Sequence, residues 1–526
     1  MTVLNDPVKL EIFRHLLDSV ADEMGVILRN TSYSPNIKER CDFSCALFDS
    51  EGNMVAQAAH IPVHLGAMPL SVQAVIRQIK MLPGDVVMVN DPFMGGTHLP
   101  DITLIAPVFY KQKLMAFVAN RAHHSDIGGM SPGSMPLSIE IYQEGMIIPP
   151  VKLVNEGELN EDILNLLLAN VRTPNERSGD IRAQISANSK GITRILELLE
   201  RYGSGVINSA MSGLLAYTER VMRDFISTLP DGEYCFYDVM DDDGNSEEEV
   251  KITTSVRIMQ ESIVIDFTGS SNQVEGNINA TKAITIAAVF YVFRSLIQHD
   301  IPTNSGCLLP IEVIAPEGTI VNAIGTAAVA AGNVETSQRI TDVILGAMSK
   351  VCSDKIPAAS QGTMNNITIG GIDHRGDNSV PFAYYETIGG GMGANPTING
   401  SDAIHTHMTN TLNTPIEALE YAYPMRVKRY TVRRGSGGFG LYCGGNGIVR
   451  EIEMLTDARV TILSDRRIKA PYGLSGGESG KPGRNYLISK NKIIDLPGKT
   501  SIDVVDGDII GIRTPGGGGF GVSSQK

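Results

Sequence analysis

The chain has 526 residues, which is too long for one ordinary hydrophobic core and predicts several domains. Hydrophobic residues make up 42% and charged residues 19% of the sequence, a globular composition that excludes a disordered chain. The formal net charge of -14, without any basic stripe, argues against a nucleic-acid partner.

The N-terminal residues and the cysteines predict a cytoplasmic protein. The N-terminus lacks the positively charged region and apolar run of a secretion signal. The longest apolar stretch, residues 283–293, is too short to span a membrane, so no membrane partner is expected. The six cysteines are scattered without a CxxC pair, and we expect reduced thiols.

The first predicted element is a helix that begins after Asp6. Asp6 can cap it, Pro7 occupies its first turn, and apolar residues recur at helical spacing to Ile27. From residue 41 to about residue 145, short apolar runs alternate with Gly and Pro, which predicts strands. Histidine-bearing segments fall between these strands, where loops on a rigid scaffold carry function.

Helices are predicted between about residues 160 and 229, near 283–298 and near 337–351, with alternating strands between the first two groups. Strands and Gly-rich turns follow residue 427. The predicted fold class is therefore α+β and multidomain. The expected parts are a mixed metal-site domain, a helical connector, a central α+β domain and a β-rich C-terminal domain, at residues 1–155, 156–230, 231–426 and 427–526.

Histidines are concentrated in one part of the chain. Five of the ten are accompanied there by carboxylates: His60, His64, His98, His123 and His124, with Asp42, Asp91, Asp101 and Asp126. Imidazole and carboxylate without thiolate suit Mn, Fe or Zn in a hydrolytic site. A turn at Pro100 in the segment THLPD could bring His98 and Asp101 to one ion. A single histidine is more often structural, and spacing alone does not select the ligands.

Several long motifs are specific enough to indicate a family. They include ERCDFSCALFDSEGNMVAQAAHIPVHLGAMPLSV, NDPFMGGTHLPDITLIAPVF, NRAHHSDIGGMSPGSM, GNVETSQRITD and the terminal TPGGGGFG. With these motifs the chain resembles the hydantoinase B/oxoprolinase family almost from end to end. That family includes N-methylhydantoinases, oxoprolinases, a caprolactam hydrolase and subunits of acetone and acetophenone carboxylases. The resemblance also implies an ordered C-terminal tail, which composition alone would make a linker.

The resemblance implies a metal site in the histidine-rich segment. In acetone carboxylase the metal is held by a His-x-x-Asp pair and a later His, a pattern that His98, Asp101 and His123 match. His124 is the competing candidate for the third ligand. Asp42 is the candidate for a fourth ligand or for a base beside the metal.

The implied function is that of the metal-binding hydrolytic subunit of an ATP-dependent cyclic amide hydrolase acting on a hydantoin, oxoproline or another lactam. A hydantoinase A-type partner subunit would bind ATP and Mg and phosphorylate the amide oxygen. Water activated by a divalent Mn, Fe or Zn ion would then attack. The expected assembly is a hetero-oligomer. The candidate catalytic residues are Asp42, His60, His64 and Glu39.

Two other functions remain open. A subunit of a ketone carboxylase would use the metal to hold carbonate or an enolate, although this chain matches the shorter hydrolase type. The other function is that of a scaffold for the nucleotide-binding subunit, which would have a degenerate metal site. The intact pattern of His98, Asp101 and His123 argues against this function.

Four other features of the sequence are weaker candidates for a functional site. Ser131 and Ser475 lie in G-x-S-x-G sequences, but a proline follows the first and a Gly- and Pro-rich loop the second, which disfavours a serine hydrolase. His405 and His407 in HTH form either a second ligand pair or, more plainly, part of a polar strand. Glu386 precedes a Gly-rich loop that could approach substrate.

Overall fold

A computed structural model describes residues 6–58 and 61–523 of the chain, so the predicted catalytic residue His60 lies outside the described residues. The helices are α1 (Pro7–Thr31), α2 (Pro35–Lys38), α3 (Ala67–Gln78), α4 (Glu161–Leu168), α5 (Pro174–Tyr202), α6 (Ser204–Ser227), α7 (Lys282–Leu296), α8 (Ser337–Met348) and α9 (Ile416–Ala422). The strands are β1 (Phe43–Asp49), β2 (Met54–Gln57), β3 (Val86–Val89), β4 (Asp101–Tyr110), β5 (Lys113–His123), β6 (Val151–Asn155), β7 (Glu158–Leu159), β8 (Gly232–Met240), β9 (Val250–Met259), β10 (Ser262–Asp266), β11 (Ile311–Ile314), β12 (Asn366–Asp373), β13 (Val380–Glu386), β14 (Met425–Arg433), β15 (Gly447–Met454), β16 (Ala458–Leu463), β17 (Arg484–Ser489), β18 (Lys492–Leu496), β19 (Lys499–Val504) and β20 (Ile509–Arg513). The predicted mixture of helices and sheets in several parts is confirmed.

Helix α1 forms for the predicted reason. The side chain of Asp6 accepts hydrogen bonds from the backbone N–H groups of Val8 and Lys9 at 3.2 and 3.3 Å, which satisfies donors that the first turn leaves free. Leu17 and Met24 lie on its buried face, which packs against α5 and β1. The helix therefore covers one side of the N-terminal sheet.

The N-terminal sheet has seven antiparallel strands in the order β2-β1-β5-β4-β3-β6-β7. Both of its faces are buried. In β5, Phe117 and Ala119 belong to the core that includes α7 and α8, whereas Ala116 and Val118 belong to the core that includes α1 and α5. This two-sided burial explains why these strands are continuous apolar runs rather than alternating ones.

Three further sheets are present in the described residues, with strand orders β11-β10-β9-β8, β13-β12-β16-β19 and β14-β15-β20-β17-β18. In the second of them β12 pairs with β16, and Asn366 lies opposite Leu463. This sheet therefore takes strands from both sides of the boundary predicted between residues 426 and 427.

The C-terminal tail is buried and packed backbone against backbone. The N–H of Gly517 donates to the carbonyl of Gly445 at 2.9 Å. A β-carbon at Gly517 would lie 2.1 Å from the carbonyl oxygen of Met392, and one at Gly391 would lie 2.0 Å from that of Gly445. Glycine is needed at these positions because a side chain has no room there. The tail is thus ordered, as the resemblance implied.

No helix within the two described ranges combines the length and apolar character that a membrane crossing requires. The six cysteines are free thiols in this structure, and Cys45, Cys307 and Cys352 are buried.

A buried ionic cluster ties α8 to the C-terminal sheets. The carboxylate of Asp465, just after β16, accepts hydrogen bonds from Arg339 at 2.8 Å and from Lys499 at 3.1 Å, and all three side chains are fully buried. Burial alone would raise the pKa of Asp465, but the charges of Lys499 and Arg339 outweigh it and lower this pKa to about 2. Asp465 is therefore ionised, and it is the nearest anion to both cations. Arg339 also lies 3.3 Å from Asp238 and Lys499 lies 3.2 Å from Asp242.

We expect Asp465→Asn to lower the free energy of unfolding by about 3 kcal/mol, because it removes the buried anion that lies nearest to both cations and leaves them only partly compensated. The control is Asp503→Asn, which removes the exposed Arg459–Asp503 ion pair at 3.1 Å and should change stability by less than about 1 kcal/mol. Urea denaturation measures both. Equal losses in the two variants would contradict a structural role for the cluster.

Candidate metal centre

The register of the N-terminal sheet places two predicted ligands opposite each other. Asp101 is the first residue of β4 and His123 the last of β5, and the antiparallel ladder pairs these two positions directly. The N–H of His123 also donates to the carbonyl of Asp42 at 3.0 Å, which anchors the end of β5 beside β1. Side chains directly opposite each other in a ladder have β-carbons only about 4.5–5.5 Å apart. The register therefore brings Asp101 and His123 together.

The alternation of side chains distinguishes the adjacent histidines. His123 points to the same face as Phe117 and Ala119, toward α8, since alternate residues share a face. The next residue, His124, lies on the side of α5, where its Nε2 donates to the side-chain oxygen of Gln184 at 3.0 Å. Burial and the nearby arginine charge of the α5 region lower the pKa of His124 to about 4. His124 thus lies apart from the Asp101 carboxylate.

Three donor atoms converge at the end of this hairpin. Nε2 of His98 lies 3.2 Å from Nδ1 of His123 and 3.2 Å from Oδ1 of Asp101, and the last two atoms are also 3.2 Å apart. Such spacing is close to that of neighbouring ligands bound to one ion at about 2.0–2.2 Å. The other nitrogen of His98, Nδ1, donates to the carbonyl of Ala330 at 2.9 Å, which leaves Nε2 as the lone-pair donor.

The carboxylate of Asp101 is buried, with 1% of its surface exposed, and its partners are uncharged or imidazole groups. Its Oδ2 accepts hydrogen bonds from the hydroxyl of Thr97 and, at 3.3 Å, from the side-chain amide of Asn333, and it lies 3.4 Å from Nε2 of His64. Burial would raise the pKa of Asp101, but the neighbouring imidazoles, His98 foremost, hold it well below its usual range. The carboxylate is therefore a buried anion.

The two imidazoles of the cluster respond differently to the same anion. Burial acts to lower the pKa of His98, but the charge of Asp101 and its hydrogen bond outweigh burial and raise that pKa. For His123, burial prevails and the pKa is lowered. The neutral form of His123 is the form that can donate a lone pair to a metal.

The cluster adjoins a small cavity of about 20 Å³, room for about one water molecule or ion. Asp42 lines this cavity and is largely buried, with its Oδ2 4.0 Å from Nη1 of Arg40. Its carboxylate is not one of the three converging donors. The structure thus brings Asp42 beside the cluster, where the sequence left its role open between ligand and base.

The remaining predicted catalytic residues are placed differently from one another. His64 lines the same cavity, and its Nδ1 lies 2.8 Å from the hydroxyl of Ser44. Glu39 follows α2, is half-buried and is not among the residues that line the cavity. His60 lies outside the described residues, so its position relative to the cluster stays a prediction.

Sequence spacing did not identify Asn333, which contacts two of the three ligand candidates. It lies in a π-helical turn, Gly332–Thr336, directly before α8. Its side-chain amide donates to Nε2 of His98 at 3.0 Å and to Asp101. Such turns are rare and frequently occur at functional sites. The only signal in the sequence was the motif GNVETSQRITD, which contains this residue.

A second unpredicted group fixes His123 from the opposite side. The ring of Tyr385 stacks on that of His123 with centroids 4.4 Å apart and an interplanar angle of 20°. The hydroxyl of Tyr385 donates to Asn366 at 2.9 Å, and the amide of Asn366 donates in turn to Oε1 of Glu335 at 2.8 Å. This chain of contacts connects His123 to a buried carboxyl group.

The Glu335 carboxyl should make the stability of the metal-free protein depend on pH. Burial raises the pKa of Glu335 from 4.5 to about 8. The folded state therefore binds a proton that the unfolded state has lost between these values, so the free energy of unfolding should fall as the pH rises from about 4.5 to about 8. We expect Glu335→Gln, which keeps the acceptor oxygen but does not titrate, to show a flatter profile in urea denaturation at several pH values. Parallel profiles for the two proteins would refute this assignment.

Residues that the sequence flagged on weaker grounds lie elsewhere. Glu386 forms a buried ion pair with Arg450 at 2.9 Å and does not line the cavity of the cluster. His405 and His407 line a separate, neighbouring cavity. Among the described residues they do not belong to a group of three potential ligands, whereas His98, Asp101 and His123 do.

Comparison with known proteins identifies the family of this chain and several of its relatives. The family model described as hydantoinase B/oxoprolinase matches residues 6–523. A 5-oxoprolinase of Arabidopsis thaliana is 44% identical over 98% of this chain, which spans only 42% of that protein's length. A second relative, from Pseudomonas sp., is named as a subunit of a D-/L-hydantoinase. It is 33% identical, and the match covers 98% of this chain and 90% of the length of that protein.

Two solved structures have the same fold. The crystal structure of an ATP-dependent caprolactamase from Pseudomonas jessenii superimposes with a TM-score of 0.91 at 30% identity, covering 98% of this chain and 91% of that one. A nucleotide-free acetone carboxylase structure also superimposes with a TM-score of 0.91, at 18% identity. The superposition covers 99% of this chain and 76% of the acetone carboxylase chain. At that identity the second likeness concerns the fold alone.

Proposed function

This chain belongs to the hydantoinase B/oxoprolinase family, and on that premise we propose that it is the metal-binding hydrolytic subunit of an ATP-dependent cyclic amide hydrolase. The observation that carries the proposal is the convergence of His98, Asp101 and His123, whose donor atoms lie 3.2 Å from one another. The names of its relatives support the substrate class, since oxoproline, hydantoin and caprolactam are all cyclic amides.

The chemistry of the cluster fits a divalent cation. Within the described chain, the hydrogen-bonding partners of the buried Asp101 carboxylate include no lysine or arginine. A cation would supply the missing positive charge, and two imidazoles with one carboxylate suit Mn, Fe or Zn. When bound, it would supply Lewis-acid polarisation and acidify water.

Asp42 and His64 are the groups of this chain that can handle protons beside the cluster. Both line the cavity that has room for about one water molecule. We assign to Asp42 the role of the base that accepts a proton from attacking water, because its carboxylate borders the cavity without joining the three donors. His64 is its alternative, although the hydroxyl of Ser44 already engages its Nδ1.

A partner that binds ATP completes the proposal. The nitrogen of a cyclic amide donates into its carbonyl, which makes the carbonyl carbon a poor electrophile until the oxygen is phosphorylated. We propose a hydantoinase A-type subunit with ATP and Mg for that step, in a hetero-oligomer. The Pseudomonas relative supports such a partner, because its name makes it one subunit of a larger hydantoinase. The Arabidopsis 5-oxoprolinase, more than twice as long as the part matched here, has room for both functions in one chain.

A ketone carboxylase subunit is the alternative. Its support is the likeness to acetone carboxylase, which concerns the fold alone. The oxoprolinase, the hydantoinase subunit and the caprolactamase described above, each at 30% identity or more, bear names that refer to cyclic amides, and they favour the hydrolase. Assays of the assembled protein with ATP and either a lactam or acetone with bicarbonate would separate the two reactions.

Removal of a ligand should remove the metal. We expect the purified wild-type chain, after reconstitution, to contain Mn, Fe or Zn at near-stoichiometric levels by elemental analysis. The variants His98→Ala and Asp101→Ala should lose it, because only two donors of the cluster remain. His124→Ala is the matched control and should keep the metal. Retention in the first two variants, or loss in all three, would sink the ligand assignment.

The role of Asp42 can be separated from that of a ligand. If Asp42 is the base, Asp42→Asn should retain its metal and lower kcat for ATP-dependent lactam hydrolysis by about 10²–10⁴-fold. Elemental analysis and steady-state kinetics with the partner subunit measure the two effects. Loss of the metal would instead make Asp42 a fourth ligand, and an unchanged kcat would remove it from catalysis.

A further inference from the structure

The cavity at the metal cluster cannot accommodate a substrate ring. It offers about 20 Å³, enough for about one water molecule, whereas a cyclic amide has a ring of five or more heavy atoms with its substituents. A substrate must therefore bind beside the cluster and present only its amide group to it. The space on the other side of the cavity wall is therefore the candidate for the substrate site.

A second cavity, of about 370 Å³, adjoins the first across a single layer of chain. Thr409 lines both cavities. Pro62 faces the larger cavity while its neighbours Ile61 and Val63 face the smaller one, and the two segments of the wall are joined by a 3.2 Å hydrogen bond from the N–H of Val63 to the carbonyl of Met408. The volume lies within the range of about 300–1,000 Å³ that small-molecule sites occupy.

The lining of this larger cavity suits a small ring with one polar edge. Apolar walls come from Pro62, Leu296 and Leu345, while His405 and Thr409 contribute polar groups. Of these two, Thr409 also lines the cavity of the cluster. This combination of an apolar enclosure and a few polar groups is typical of ligand sites. A methylene edge can pack on the first set of residues while an amide edge reaches the second.

Two histidines of this wall have hydrogen-bonding capacity that the described chain leaves unused. The ring nitrogens of His405 and Nε2 of His407 are all buried, and Nε2 of His407 has no hydrogen-bonding partner there. Asn413 lies near enough to interact with one ring nitrogen of His405 and acts to raise its pKa. Its amide nitrogen already donates to Glu386 and Thr387, so at least one ring nitrogen of His405 stays without a partner in the described chain. Buried polar groups without a partner are uncommon and indicate a missing ligand or water.

The state of these histidines favours an uncharged ligand group. Burial and the charge of Arg40 lower the pKa of His405 to about 3, so its ring is neutral and offers one donor and one acceptor. His407 has a φ of 58°, a left-handed conformation that is uncommon for a residue other than glycine and that clusters at functional sites. The hydroxyl of Tyr291 lies 3.4 Å from Nδ1 of His407 and holds its ring at the cavity.

We propose that this larger cavity binds the ring of the cyclic amide, with His405 as a recognition group for the amide and Thr409 at the passage to the metal cluster. The proposal rests on the hydrolase function argued above and specifies where its substrate binds. His405 binds substrate here without taking part in metal binding. The occupant is a lactam or hydantoin ring rather than a nucleotide, because the cavity volume is near the lower end of the range for small-molecule sites and Lys355 is the single Lys or Arg among its described lining residues.

Two substitutions test the site by different routes. Ser295→Phe changes an exposed serine of α7 that borders the cavity and would fill its entrance, and His405→Phe keeps the ring volume but removes both nitrogens. The matched control is Ser189→Phe, an exposed serine of α5 whose hydroxyl, like that of Ser295, donates to a carbonyl of its own helix. Isothermal titration of the metal-loaded chain with 5-oxoproline, hydantoin and caprolactam in turn gives the dissociation constants.

We expect wild type and Ser189→Phe to bind at least one of the three amides with the same Kd, and the two cavity variants to bind it about tenfold more weakly with unchanged metal content. Unaltered affinity in both cavity variants, or no binding of any probe by wild type, would overturn the site. Loss of affinity together with metal would also overturn it, since His405 would then act on the cluster. A wild type that binds an amide but no metal would contradict the hydrolytic function and leave this binding site standing.

Discussion

The burial of the Asp101 carboxylate imposes the main constraint on this structure. A carboxylate removed from water is costly unless charge and hydrogen bonds compensate it where it lies. Its compensation comes from three imidazoles, a hydroxyl and an amide, contributed by residues 64, 97, 98, 123 and 333. None of these groups carries a permanent positive charge, and in the proposed function a divalent cation would complete the arrangement. The sheet, the turn before β4 and the start of α8 must all meet at this point.

Much of this region could be predicted from local sequence. The cap at Asp6, the continuous apolar strands and the helices α5 to α8 follow from spacing and turn residues, and the structure has them within a few positions. The choice between His123 and His124 could not be made in that way. It depends on which face of β5 each side chain occupies, and that is known only once the register with β4 is known. A shift of one residue would have exchanged the two imidazoles.

The contributions from distant parts of the chain were beyond sequence reasoning for a different reason. Asn333 and Tyr385 are not metal-ligand types, and they lie more than two hundred residues from Asp101 along the chain. Their roles arise from a π-helical turn and from a ring stacked on His123, neither of which leaves a periodic signal. The family motif GNVETSQRITD contains Asn333 without saying what its side chain does, and none of the quoted motifs contains Tyr385. Only the packing of distant parts of the chain brings Asn333 and Tyr385 to the cluster.

The Gly-rich C-terminal tail shows how far such packing extends. The tail supports Gly391 through two backbone contacts. The N–H of Gly391 donates to the carbonyl of Pro515 at 3.0 Å, and the backbone of Gly517 packs directly against Gly391. The adjacent Gly390 forms a two-way backbone bridge with Ile404, the residue before His405. The wall of the larger cavity is thus held by a segment more than a hundred residues further along the chain. Glycines in the tail permit approaches of the backbone that any side chain would prevent, and they thereby fix the cavity wall that lies beside the cluster of His98, Asp101 and His123.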